Sequence, residues 1–91
     1  MKYYVYVLFS PKDKLLYIGS THDLKARFKR HREGKVRATK ERRHLELIHY
    51  EYFIDKYEAL AREKFFKSGF GRNQLKKALK RTLSKLGYKK L

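Results

Sequence analysis

The sequence predicts an α+β fold: a three-stranded, mainly antiparallel sheet flanked by helices, in the order β-β-α-β-α-α. Three observations lead there. Two aromatic and β-branched runs, Tyr3 to Phe9 and Leu15 to Gly19, are joined by the turn cluster Ser10-Pro11-Lys12-Asp13-Lys14 and read as a hairpin. A third such run, Leu45 to Ile54, comes only after a stretch with helical spacing. The chain has 91 residues, 42% of them hydrophobic and 15% aromatic, enough for one small core and too few for two.

The first helix follows Thr21, which reads as its N-cap with Asp23 in the first turn. Leu24 and Phe28 stand four apart, Lys25, Lys29, Arg30 and Arg32 take the other faces, and the helix ends near Gly34. From Lys35 to Arg43 the chain has no apolar periodicity and many charges, as expected of a mobile basic loop. After the third strand, Asp55 and Glu58 have the spacing of a capping box and open a second helix with Tyr57, Leu60, Ala61 and Phe65 on one side. Ser68-Gly69-Phe70-Gly71 stops it. Leu75, Leu79, Thr82, Leu83 and Leu86 then mark a third helix closed by Gly87. No repeat or linker divides the chain. Residues 1–91 therefore read as one domain, with a core of about 3–79 followed by a basic helix and tail.

Twenty-five Lys and Arg against nine Asp and Glu give a net charge of +16. A field of that size is an argument about partners, and the expected partner is nucleic acid. An anionic membrane is the weaker candidate, because Trp is absent and the longest apolar run is Tyr3 to Phe9. No signal-like stretch follows Met1-Lys2, so a soluble, cytoplasmic protein is expected. The lack of cysteine excludes disulfide frameworks, Cys-ligated zinc, iron–sulfur clusters and thiol nucleophiles. The charge is uneven. Residues 25–43 hold 10 basic and 2 acidic side chains, and after Glu63 there are 10 basic residues and no acid. Lys25, Lys29, Arg30, Lys35, Arg37 and Lys40 in the first segment, and Arg72, Lys76, Lys77, Lys80 and Arg81 in the second, are the candidate phosphate contacts. If the fold brings them together they form one phosphate-facing surface.

Several polar groups fall where a purely structural sequence does not need them. Tyr4 and Tyr6 share a strand face, and Tyr17 lies on the paired strand. Arg27 and His31, four apart, share a face of the first helix. Glu63 is isolated among cations. Their ordinary readings are sheet packing with a wet hydroxyl, solvated helix residues, and an exposed ion pair. His22, His44 and His49 have no ligand-like spacing and read as surface or strand residues. Composition alone stops at a basic α/β nucleic-acid binder.

As an ordered set these residues resemble a known family. Tyr4-Val5-Tyr6, ten residues, Tyr17-Ile18-Gly19, a helix with Arg27 and His31, and a later helical Glu63 are similar to the GIY-YIG nuclease superfamily. Within it the likeness is to small stand-alone bacterial members related to the N-terminal nuclease domain of excinuclease ABC. The similarity runs from about Tyr3 to about Leu79 and takes in Ser20-Thr21, the Lys35 to Arg43 loop and Ser68-Gly69-Phe70-Gly71-Arg72. Tyr4 stands where the first motif has glycine, no lysine follows Gly19-Ser20, and Asn73 is the candidate for an asparagine that other members carry late in the domain.

The resemblance implies a metal-dependent DNA endonuclease, with Tyr6 and Tyr17 as the motif tyrosines, Arg27 on the phosphate, His31 one turn further on, and Glu63 as the ligand of Mg²⁺ or Mn²⁺. Phosphodiester hydrolysis needs an activated water, charge stabilisation on the phosphoryl oxygens and help for the leaving 3′ oxygen. By the same resemblance Tyr17 is a base or relay toward water, assisted by Tyr6 or His31. A phenol with the ordinary pKa of about 10 is a poor base at neutral pH, so Arg27 and the positive field are needed to lower it. The alternative is a catalytically silent DNA- or RNA-binding module on the same fold. Arg27 and Glu63 together favour the enzyme, because a pure binder gains nothing from an acid beside phosphates. Without a separate reading head, specificity should be low and recognition by shape, in repair, recombination or DNA processing.

Overall fold

The computed structural model describes residues 2–42 and 44–88. Its elements are β1 (Tyr3–Ser10), β2 (Leu15–Thr21), α1 (Leu24–Arg32), β3 (Glu46–Phe53), α2 (Lys56–Lys67), α3 (Gly69–Ala78) and α4 (Lys80–Lys85). The expected order holds, with the last helix divided at Leu79. The sheet is antiparallel in the order β2-β1-β3, so β1 is central and both neighbours are edges.

Side chains alternate across β1 and divide the molecule in two layers. Val5, Val7 and Phe9 join Leu16 and Ile18 in the main core, which Ala59, Phe66, Leu75 and Leu83 of α2 to α4 cover. Tyr6 and Leu8 point the other way, where Leu24 and Phe28 of α1 close a smaller cluster with Leu45, Leu47 and Tyr17. A register shift opposite Val7 and Leu8 breaks the alternation of β3. Past it, Tyr50 and Tyr52 pair with Tyr6 and Tyr4 and share their face. Among the described residues no helix is long and apolar enough to cross a membrane.

Four expectations are corrected. The N-cap of α1 is Asp23, whose carboxylate accepts from Ala26 N–H at 3.1 Å; Thr21 Oγ1 instead accepts from Asp23 N–H at 3.1 Å, placing it one step outside the helix. Gly34, at φ 74°, turns the chain out of α1 in the left-handed conformation that favours glycine, and Lys35 N–H bonds back to Arg30 O.

The second correction concerns the 35–43 loop, which is fastened to the body: Val36 and Thr39 are buried, Lys12 Nζ donates to Glu41 O at 2.9 Å, and Arg42 pairs with Asp13 at 2.6 Å. Arg43 lies outside the described residues.

The third is the buried face of α2. Asp55 caps the helix by accepting from Tyr57 and Glu58 N–H, but Tyr57 is 75% exposed and Leu60 is also exposed. Ala59 and Phe66 are buried instead, with Arg62 and Glu63 half-buried between them. Arg62 can face inward because its guanidinium lies 4.3 Å from the centroid of the Phe66 ring and pairs with Glu51 of β3 at 2.8 Å. Finally, Ser68-Gly69-Phe70-Gly71 does end α2, yet it also starts α3: Ser68 Oγ accepts from Gly71 N–H at 3.1 Å as its N-cap.

Candidate active site

The catalytic candidates meet at the β2 edge of the sheet, approached from both faces. On the α1 face, Tyr6 is fixed by the cross-strand pair it makes with Gly19. Its ring lies over that glycine so closely that a Cβ there would sit 2.5 Å from the Tyr6 hydroxyl. The small residue of the second motif is therefore a space requirement for the tyrosine of the first.

Around the Tyr6 hydroxyl a chain of hydrogen bonds is assembled. Arg27 Nε donates to it at 3.3 Å, and it lies 2.9 Å from His31 Nε2. His31 Nδ1 is 2.7 Å from Thr39 Oγ1. Because Arg27 can only donate, the Tyr6 hydroxyl accepts from it and gives its own proton to His31. Nε2 is then the acceptor, and Nδ1–H donates to Thr39. Tyr17 completes the group, its ring centroid 5.1 Å from that of His31 and 6.3 Å from that of Tyr6.

Burial sets the protonation states. His31, fully buried, is pushed down to about 4, first by desolvation and then by the Arg27 charge, so it is neutral at pH 7. Tyr6, 1% exposed, is pushed up. Desolvation outweighs the lowering effect of the Arg27 hydrogen bond, and the charges of Tyr17 and Glu63 add to the rise. The expectation that Arg27 and the positive field make a more acidic phenol fails for Tyr6, which remains a donor. Tyr17 is only partly buried and is the phenol open to solvent. Arg27 is raised, foremost by its bond to Tyr6, and no carboxylate among the described residues forms a salt bridge with it.

From the opposite face comes Glu63, on the half-buried stripe of α2. Its side chain is 19% exposed. Ser20 Oγ, at the end of β2, donates to Oε1 at 2.7 Å, and Lys67 Nζ pairs with Oε2 at 2.9 Å. Ser20, Thr39 and Lys67 join the cluster without a clear signal along the chain. Ser20 is marked in the sequence only by following the motif glycine, and Thr39 only by being an uncharged residue in a charged loop. Among the described residues no three Asp, Glu or His side chains form a preformed metal cage. A single carboxylate with a hydroxyl beside it fits Mg²⁺ completed by substrate oxygens and water.

The candidate phosphate contacts do not merge into one surface. Lys25, Lys29, Arg30, Lys35, Arg37 and Lys40 belong to α1 and the loop after it, on one side of the sheet. Arg72, Lys76, Lys77, Lys80 and Arg81 belong to α3 and α4 on the other. Lys29 and Lys35 share Glu33 at 3.9 and 3.3 Å, and Lys76 lies over the Tyr88 ring at 5.4 Å. Lys77, Lys80 and Arg81 are exposed, as expected, while Arg72 is half-buried. Asn73 is exposed beside Lys76, Lys77 and Lys80, on the same outer surface and not in the tyrosine cluster. His22 and His44 are exposed, and His49 of β3 bonds to Glu51 at 3.0 Å.

The buried histidine gives a pH prediction. In the unfolded chain His31 takes up a proton near 6.5, whereas in the fold it resists protonation to about 4. Between these values the unfolded state binds more protons, so stability falls as pH drops through that window. The full effect is on the order of 3 kcal/mol. Urea unfolding at pH 7, 5.5 and 4.5 should show this loss, and His31→Gln should flatten it. Equal acid slopes in the two proteins would show that His31 is not held neutral.

Residues 2–77 match the family model of the GIY-YIG catalytic domain. A UPF0213 protein of Pediococcus acidilactici is 38% identical over 77 residues, covering 81% of this chain and 78% of that protein. UPF0213 proteins of Staphylococcus haemolyticus and Streptococcus pyogenes serotype M5 are each 42% identical over 74 residues, 80% of this chain and 88% and 79% of theirs. No solved structure gives a significant match. Since the family match runs from β1 into α3 and takes in both faces of the β2 edge, this chain belongs to the GIY-YIG catalytic domain family.

Proposed function

We propose that the protein is a metal-dependent DNA endonuclease, a single catalytic domain over residues 1–91 that hydrolyses phosphodiester bonds. The observation that supports this most is the meeting of an arginine without a carboxylate partner, a neutral tyrosine–histidine relay and a lone carboxylate at one sheet edge. Arg27, held by Tyr6 through Nε, offers its remaining nitrogens to the non-bridging oxygens of a phosphate. Tyr17, the solvent-facing phenol, contacts the attacking water. Tyr6 and His31 keep the buried side of the cluster protonated in one pattern, and Thr39 fixes the ring. On substrate arrival Lys67, about half exposed, is free to move from Glu63 to phosphate. Glu63 would hold the Mg²⁺ or Mn²⁺, which when bound stabilises charge on the leaving 3′ oxygen.

Both basic surfaces would bind DNA through its phosphates, which position the duplex without reading it. Low sequence specificity and a cytoplasmic role in DNA repair, recombination or processing go with that. Replacing Lys77, Lys80 and Arg81 together by Ala should flatten the slope of log affinity against log salt by up to about 0.9 per lost contact, equally for unrelated sequences, with turnover at saturating DNA unchanged. An unchanged slope would confine binding to the α1 side.

The engagement of both Glu63 oxygens favours one other reading, a silent DNA- or RNA-binding module in which Lys67 neutralises the acid permanently. Incubation of the protein with labelled linear, nicked, flapped and branched DNA separates the two. The nuclease reading expects strand cleavage with Mg²⁺ or Mn²⁺ that EDTA stops. Binding without cleavage on every substrate and metal would leave the module.

A further inference from the structure

Tyr4, Tyr50 and Tyr52 take no part in the cluster, yet they extend the sheet face that carries Tyr6. Tyr50 is the cross-strand partner of Tyr6, and Tyr52 that of Tyr4. The Tyr4 ring lies 6.0 Å from Tyr50, edge-on, and 5.6 Å from Tyr52, tilted. Tyr50 and Tyr52 are 54% and 52% exposed. Folding does not ask for aromatic rings on the open face of an edge strand, where polar side chains serve as well and guard against aggregation. Between these rings and the start of α1 runs a groove of about 660 Å³, within the size range of ligand clefts. Lys2, His22 and Lys25 line it with the rings, and Asp23 also lines it but is engaged in capping α1.

Open aromatic faces recognise other π-systems, and lysines beside them select a chain that is also anionic. Single-stranded nucleic acid alternates these two features. A duplex does not present them, because its base faces are stacked inside. We propose that the Tyr4, Tyr50 and Tyr52 surface is a stacking platform for an unpaired strand of the substrate DNA, so that the protein acts on DNA with a single-stranded arm. This rests on the DNA-cleaving reading above. The path is continuous: His22 lines this groove and also a second one that contains Ser20, the residue bonded to Glu63. A strand stacked on the tyrosines thus reaches the scissile site past the start of α1.

The test measures binding apart from cleavage, with the full chain in EDTA. Anisotropy of a labelled 12-nucleotide oligo-dT and of a 12-base-pair duplex is followed across a salt series. Joint replacement Tyr50→Leu and Tyr52→Leu should weaken oligo-dT binding about 10-fold or more, leave duplex binding within about twofold and leave the salt slope unchanged, since rings and not charges are lost. Joint replacement by Phe should restore wild-type affinity for oligo-dT. Unchanged oligo-dT affinity in the Leu variant, equal losses for single strand and duplex, or a Phe variant as weak as the Leu variant would overturn the proposal. Oligo-rU bound about 10-fold more tightly than oligo-dT through the same rings would overturn the assignment to DNA.

Photocrosslinking of 5-iodouracil oligonucleotides to the wild-type protein needs no variant to fold. Adducts on Tyr4, Tyr50 or Tyr52 are expected, and adducts confined to α3 and α4 would contradict the platform. Cleavage of forked and linear DNA is read separately with Mg²⁺. Tyrosine-dependent binding with no cleavage would sink the nuclease and keep the platform. Cleavage with oligo-dT affinity indifferent to the tyrosines would do the reverse.

Discussion

Glu63→Gln should lose DNA cleavage by at least about 100-fold while binding DNA as well as the wild type or slightly better. Glutamine has the shape of glutamate and its carbonyl can still accept from Ser20 Oγ, so the tie between β2 and α2 is kept. What disappears is the negative charge, and with it the only kind of ligand in this cluster that anchors a hard divalent cation. Loss of several kcal/mol of charge stabilisation at the leaving oxygen accounts for a rate effect of that size. Removing an anion near the phosphates, and releasing Lys67, offsets any loss of affinity. Single-turnover rates at saturating DNA, beside anisotropy in EDTA, report the two quantities separately. Wild-type turnover in the variant would remove Glu63 from the reaction.

Arg27→Lys should be nearly as severe, about 100-fold in turnover, although the charge is kept. The guanidinium has two tasks. Its Nε holds the Tyr6 hydroxyl at 3.3 Å, and its terminal nitrogens are left to grip a phosphate as a fork. An ammonium is a point donor and cannot do both, and losing one aligned donor to a developing oxyanion costs about 100-fold to 1000-fold. Affinity for DNA should change less than twofold, since the net charge is unaltered. A fully active Lys variant, folded as judged by its melting temperature, would return Arg27 to the role of a surface cation.

The parts of the fold that are legible in the sequence are those fixed by neighbours along the chain. The hairpin is written in the cluster from Ser10 to Lys14, and α1 in the spacing of Leu24 and Phe28. The ordered tyrosines, Arg27, His31 and Glu63 do converge on one edge. Errors arise where a distant partner decides. Tyr57, Leu60 and Phe65 look like a buried stripe of α2, but Arg62 is sheltered by Glu51 and the Phe66 ring, so the helix turns its charged-looking side inward and leaves Tyr57 in water. That same rotation puts Glu63 against Ser20, 43 residues away. His31 reads as a solvated helix residue until Thr39 is known to fold back onto it from a loop that composition marks as merely charged. Tyr4, which departs from the family motif, gains its context only through β3, whose shifted register lines Tyr50 and Tyr52 up beside it.

The central claim is that this cluster directs a water molecule, and not a tyrosine, at a DNA phosphate. Cleavage of a defined substrate in oxygen-18 water, with Mg²⁺ and enzyme in excess over DNA, tests it most directly. Water attacking phosphorus with departure of the 3′ oxygen predicts a 3′-hydroxyl on one product and a 5′-phosphate carrying one labelled oxygen on the other, with no protein–DNA adduct at any time during the single turnover. A transient tyrosyl–DNA adduct trapped by denaturant, or no product from any DNA in the presence of the metal, would contradict the account.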